Sequence, residues 1–150
     1  MDLRIHHLFD MIRDYGAGTK PHPHPYGHSY HLMAAKLYEN GLDDIRLVLS
    51  CDAVCAGCSK MKNGHCMDTI THRRDFTLKE EFNNHIDKRI MDIMNLQIET
   101  PCRVSDILMK ADLYLNRIHW IYEGNDPEHT EMRKKHVSTG LIKIKTILEK

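Results

Sequence analysis

The chain has 150 residues, enough for one domain with an ordinary hydrophobic core that does not depend on cross-links. Its 21 basic and 21 acidic side chains balance. That excludes a global attraction for nucleic acid or an anionic membrane surface, and leaves only local patches to meet an acidic partner.

The opening "MDLRIHHLFD" lacks the basic start and apolar run of a secretory signal, and no later stretch is long enough to span a membrane. A cytoplasmic protein with no nucleic-acid or membrane partner is therefore expected. A short element is predicted around residues 3–9. The following "DYGAGTKPHPHPYGH" reads as an irregular loop, because its glycines and prolines break any periodicity. Residues 29–41 then read as a helix, with Ser29 as N-cap and Gly41 just past its end. In "IRLVLS", Ile45, Leu47 and Leu49 alternate on one face, as in a half-buried strand.

Beyond residue 70 the periodicity is helical. Thr77 and Glu80 form a capping box for a helix that buries Phe82, Ile86, Ile90, Ile93 and Met94. A second helix is predicted from Ser105, turning Ile107, Leu108, Ala111, Leu115, Ile118 and Tyr122 inward. A third starts at Asp126 and Pro127 and buries Val137, Leu141, Ile144 and Leu148, with Gly140 weakening its middle. The expected fold is mainly α with a small β element, an α+β single domain over residues 1–150 carrying one cysteine-rich loop. The basic clusters "RRD" near residue 74 and "RKK" near residue 134 read as solvated faces.

That loop holds four of the five cysteines. Cys51, Cys55, Cys58 and Cys66 are spaced C-x3-C-x2-C-x7-C, and Gly57 and Gly64 let the backbone turn tightly around them. In a reducing compartment such spacing points to metal ligation or redox chemistry before structural disulfides. Zinc needs four ligands converging on one tetrahedral point, commonly from two C-x2-C knuckles, and only one such pair is present. A 4Fe-4S cluster spreads its corners over a larger body and accepts closely spaced cysteines plus a further one. On spacing alone both metals stay open. "CDAVCAGC" also matches the C-x3-C-x2-C of radical S-adenosylmethionine enzymes. The chain after it, however, reads as successive helices rather than a partial barrel, and a fourth nearby cysteine would close the open iron.

"IHHLFD" followed by "LVLSCDAVCAGCSKMKNGHC" resembles an uncharacterised family of small iron-sulfur-binding proteins, the domain of unknown function 1284. Its members open with His-His-Leu-Leu-Cys and later carry Ser-Thr-Asp-Asp-Ile-Cys-x-x-Cys-Pro and Gly-x-Cys. His6, His7 and Leu8 match the first segment, Ser50, Asp52, Cys55 and Cys58 the second, and Gly64 and Cys66 the third. "YGHS" corresponds to a Gly-Tyr-Ser segment. The likeness covers about residues 1–100, and residues 103–150 form a C-terminal helical extension. The family's first cysteine falls on Asp10 here, and Cys51 stands where the family has threonine, which suggests exchange of the fourth ligand.

The resemblance implies one 4Fe-4S cluster on Cys51, Cys55, Cys58 and Cys66, with His6 and His7 helping to bind or tune it. The expected function is one-electron transfer or redox sensing with a protein partner. Asp10, His6, His7 or Cys102 would supply the fourth ligand if the exchange did not hold. The alternatives are a structural zinc module for protein interaction, or an enzyme using an open cluster iron. No nucleophile-base arrangement can be picked out, so whether the protein is an enzyme stays open. His22, His24, His28 and His31 could take up a transition metal or simply titrate in an exposed loop. Cys102 reads as an inert thiol in a loop between helices.

Overall fold

The structure is a computed structural model that describes residues 1–149. Helix outweighs strand, 54% against 10%, so the α+β expectation holds. Strand β2 (Asp44–Leu47) is the middle of a three-stranded sheet, parallel to β1 (Asp2–Leu3) and antiparallel to β5 (Pro101–Arg103). Ile45 and Leu47 point into the core while Asp44 and Arg46 are exposed, as their alternation requires. Leu49 lies beyond the strand and is half-buried. Cys102 sits in β5 rather than in a loop, and its Sγ donates to the Ile45 carbonyl at 3.6 Å.

Helix α1 (Ile5–Ala17) is longer than the predicted opening element and includes Gly16. Gly18, at φ 76°, ends it in the left-handed conformation that glycine adopts freely. Its partner is α7 (Pro127–Leu148), capped by Asp126, whose carboxylate accepts from the Glu128 N–H. The α1–α7 contact is the most extensive between any two elements described. Gly16 and Gly140 meet there. A Cβ on Gly16 would lie 2.6 Å from the Gly140 nitrogen, and one on Gly140 would lie 2.8 Å from the Ile12 carbonyl carbon. Gly140 is therefore not a weak point but the place where two helix backbones touch.

Helix α3 (Lys79–Met94) buries Ile86, Ile90 and Met94, as its period predicts. The Thr77 capping box does not form. Thr77 is drawn into a short extended pairing, its carbonyl accepting from Ile70, and Leu78 occupies the N-cap position without a side-chain cap. The single helix expected from Ser105 is three short ones: α4 (Val104–Met109), α5 (Ala111–Asn116) and α6 (Ile118–Ile121). The first break falls at Lys110, whose Nζ turns away to cap the Met94 carbonyl at the end of α3. Helix α2 (Tyr30–Asn40) follows Ser29, but the Ser29 hydroxyl is used elsewhere, donating to Ala56 in the cysteine loop.

Two arginines in the supposedly solvated basic clusters have buried side chains. Arg73 is 5% exposed, bonded to Asp75 and Asn125 and lying over Phe76 and Phe82. Arg133 is 11% exposed, paired with Asp10 and stacked on Tyr122. Each reaches an acceptor that its local sequence does not reveal.

Candidate functional site

The cysteine loop begins with a 3-10 turn at Ala53–Cys55, held by Asp52. One Asp52 oxygen accepts from the Val54 N–H at 3.1 Å, and the other accepts from the Arg4 N–H and His7 Nδ1, both at 2.7 Å. The loop is thus tied to the start of α1. It ends in a hairpin of β3 (Met61–Lys62) and β4 (His65–Cys66), which sets Cys66 opposite Met61. Asn63 and Gly64, both with positive φ, make the tight two-residue turn.

The histidine-rich loop is stapled against this one. The Ser59 N–H donates to Tyr26 and the Ser29 N–H to Val54. Gly27 and Gly57 face each other so closely that a Cβ on Gly57 would come within 2.6 Å of the Gly27 oxygen. Lys60 lies over the Tyr26 ring. Between these loops and helices α1, α2 and α3 lies a cavity of about 490 Å³, and Cys51, Cys55, Cys58 and Cys66 all line it. Cys102 does not. The Cys55 thiol donates to Asp52 Oδ1 at 3.6 Å.

All four thiols are half-buried and free. Burial pushes Cys51 up, and pushes Cys55 up to about 12, with the nearby Asp52 charge adding to the effect. Near neutral pH these two sulfurs hold their protons, and a cation that bound them would have to displace them. Among the described residues, no three His, Cys, Asp or Glu side chains converge tightly enough to hold one metal ion. A donor set of four thiols around one cavity nevertheless suits a sulfur-bound group larger than a single ion.

His6 and His7 line the same cavity, each fixed by a buried carboxylate. His6 Nδ1 lies 2.8 Å from Asp87 Oδ1, and the His6 N–H donates to the same oxygen at 2.9 Å. Arg4 completes the group, giving Nη1 to Asp87 Oδ2 at 2.9 Å. Burial pushes His6 down, but the charge and hydrogen bond of Asp87 outweigh it and leave the ring raised above its usual value. An ionised carboxylate only accepts, so Nδ1 donates in both histidines and Nε2 remains for the cavity chemistry.

His24 and His28 are set the other way. Each accepts a backbone N–H on Nδ1, from Tyr26 and Tyr30, so the neutral ring carries its proton on Nε2. Their rings stack at 4.5 Å. They offer donors to the cavity rather than a metal-binding lone pair. His31 is not part of the lining.

Asp10 lies farther along α1, between Arg133 at 2.6 Å and Arg13 at 3.3 Å. Burial favours its neutral form, yet the two guanidinium groups hold its carboxyl well below the usual range. Sequence reasoning did not assign roles to Asp52, Asp87, Arg4 or Arg133. Asp87 did leave a trace, as a charged residue on the apolar face of α3 beside Ile86 and Ile90. No family model, curated protein or solved structure matches the chain.

Proposed function

We propose that the protein binds one 4Fe-4S cluster through Cys51, Cys55, Cys58 and Cys66. We propose further that it passes single electrons, or senses redox state, together with a protein partner in the cytoplasm. The observation that carries this reading is that these four thiols, and not Cys102, line a single cavity. Tetrahedral zinc would draw its sulfurs to within about 3.8 Å of one another. A cubane holds its four corners farther apart, which is compatible with thiols that line one cavity without converging on a single point. The likeness of "HHLF", "SCDAVCAGC" and "GHC" to the iron-sulfur family favours the same choice.

A bound cluster supplies one-electron chemistry at a potential set by charge, hydrogen bonds and burial. The chain's own residues would do the rest. Asp52 fixes the loop that presents Cys55, and Gly64 makes the turn that places Cys66. His6, whose pKa is raised by the Asp87 carboxylate against the effect of burial, would when protonated favour the more negative, reduced state.

A second reading, an enzyme with one iron open to substrate, is favoured by the cavity itself. Its volume lies within the range of small-molecule sites, about 300–1,000 Å³. Purification without oxygen, followed by a visible spectrum and metal analysis, tests the main reading. A brown protein containing iron supports it, and a colourless protein containing zinc overturns it. A cluster whose spectrum changes with added small molecules favours the enzyme.

A further inference from the structure

The cavity extends well past the thiols. It follows α1 from His7, bonded to the cysteine loop, to Asp14, whose Oδ2 accepts the Tyr30 hydroxyl at 2.6 Å. Seven residues of helix separate these points, about 10 Å.

Asp10 and Arg133 meet in this far part. Arg133 Nη1 and Arg13 Nη1 both donate to Asp10 Oδ1. Among the described residues, Asp10 Oδ2 accepts no hydrogen bond, and Arg133 Nε and Nη2 donate none. Among the described residues, the one buried side-chain nitrogen or oxygen lacking a partner is His31 Nδ1. The three unpaired atoms of Asp10 and Arg133 are therefore open, and both side chains line the cavity. The result is a guanidinium with donors to spare beside a carboxylate with a free oxygen.

Charge selects what can fill such a place. Asp10 and Asp14 balance Arg13 and Arg133, so a simple anion would meet a free carboxylate oxygen and a simple cation would meet the spare N–H groups of a guanidinium. Close by, Tyr30 donates to Asp14, Tyr38 donates to the Met11 carbonyl and Tyr122 lies under Arg133, and all three line the cavity together with Ala34.

We propose that this part of the cavity binds a small zwitterion of the α-amino acid class with an apolar side chain. Its carboxylate lies on Arg133 and its ammonium on Asp10 Oδ2. Guanidinium forks match carboxylates in geometry, and charge-assisted hydrogen bonds are about twice as strong as neutral ones. The site is built by α1, α2 and α7 and does not require that the thiols carry a cluster.

Calorimetric titration of the full chain with L-phenylalanine and L-leucine tests this, beside 3-phenylpropionate, which lacks the ammonium, and 2-phenylethylamine, which lacks the carboxylate. At least one amino acid should bind at least about tenfold more tightly than either analogue, the difference expected for one lost charge-assisted contact. Asp10→Asn should erase the advantage of L-phenylalanine over 3-phenylpropionate. Arg133→Lys, which keeps the pairing with Asp10 but loses the fork, should weaken amino-acid binding even if Asp10→Asn does not fold. No heat with either amino acid overturns the proposal. So does an analogue that binds as tightly, or affinity that is unchanged in both variants.

Discussion

Replacing Gly140 with alanine sets two physical effects against each other. In an exposed helix interior, glycine to alanine stabilises by about 0.5–1 kcal/mol, because alanine loses less backbone entropy on folding. At this position the new methyl group would overlap the Ile12 carbonyl oxygen and sit 2.8 Å from its carbonyl carbon and 2.9 Å from its Cγ2. Ordinary carbon contacts are about 3.5–4.0 Å, so α1 and α7 would have to part by at least about 1 Å, enough to forfeit about half of each dispersion contact along the seam. Ile12, Val137, Leu141 and Ile144 are all buried near that seam, and overpacking a fitted core costs about 1–3 kcal/mol.

The net expectation is a loss of about 2 kcal/mol, and at about 2–4 °C per kcal/mol for a chain of this size a fall in melting temperature of roughly 4–8 °C. Urea titration of wild type, Gly140→Ala and Thr139→Ala measures it, the exposed neighbour serving as a control expected within about 0.5 kcal/mol. Gly16→Ala should behave like Gly140→Ala. A Gly140→Ala protein as stable as wild type, or more stable, would refute the backbone contact.

Asp87→Ala leaves the Arg4 guanidinium buried without its charge partner and should cost about 3–5 kcal/mol, read by urea titration; a loss under about 1 kcal/mol would contradict the buried pairing. Asp52→Ala strips acceptors from the Arg4 and Val54 N–H groups and from His7, and should cost about 3 kcal/mol, each orphaned donor accounting for about 1–3 kcal/mol. Asp10 and Asp52 both have folded-state pKa values below their ordinary ones: burial favours their neutral forms, but arginines at Asp10 and His7 at Asp52 outweigh it. Their contribution to stability is complete above about pH 4 and lost as pH falls through the lower folded values. Asp10→Asn should flatten the acid limb of stability against pH, and an unchanged slope would remove Asp10 from that account. Cys102→Ala should leave metal content unchanged, whereas Cys51→Ala should reduce it. Equal metal in both variants would dismiss Cys51 as a ligand.

Most of the helical framework can be read from the sequence, because α2, α3 and α7 each carry an apolar face at helical period and α7 carries a capping aspartate followed by proline. The strand β2 is legible for the same reason at period two. What escapes is set by distant partners. Gly16 and Gly140 look like interruptions until the two helices are laid together, since only then does the missing side chain become a fit. Thr77 has the local pattern of a cap but finds a better acceptor role opposite Ile70. Lys110 breaks a helix that its neighbours would continue, because the Met94 carbonyl needs a donor.

The candidate site divides in the same way. The thiols stand out by spacing and His6 and His7 by their tandem motif, whereas Asp52, Asp87 and Arg133 act across 45, 81 and 123 residues. The Asn63-Gly64 turn that places Cys66 was legible in principle, as a two-residue hairpin signal inside the loop.

The central claim is that the four thiols facing one cavity hold an iron-sulfur cluster. Iron, zinc and acid-labile sulfide measured per chain, on protein purified without oxygen, test it most directly. The account predicts about four iron and four sulfide per chain with little zinc. Zinc near one per chain without sulfide, or no metal at all, would contradict it.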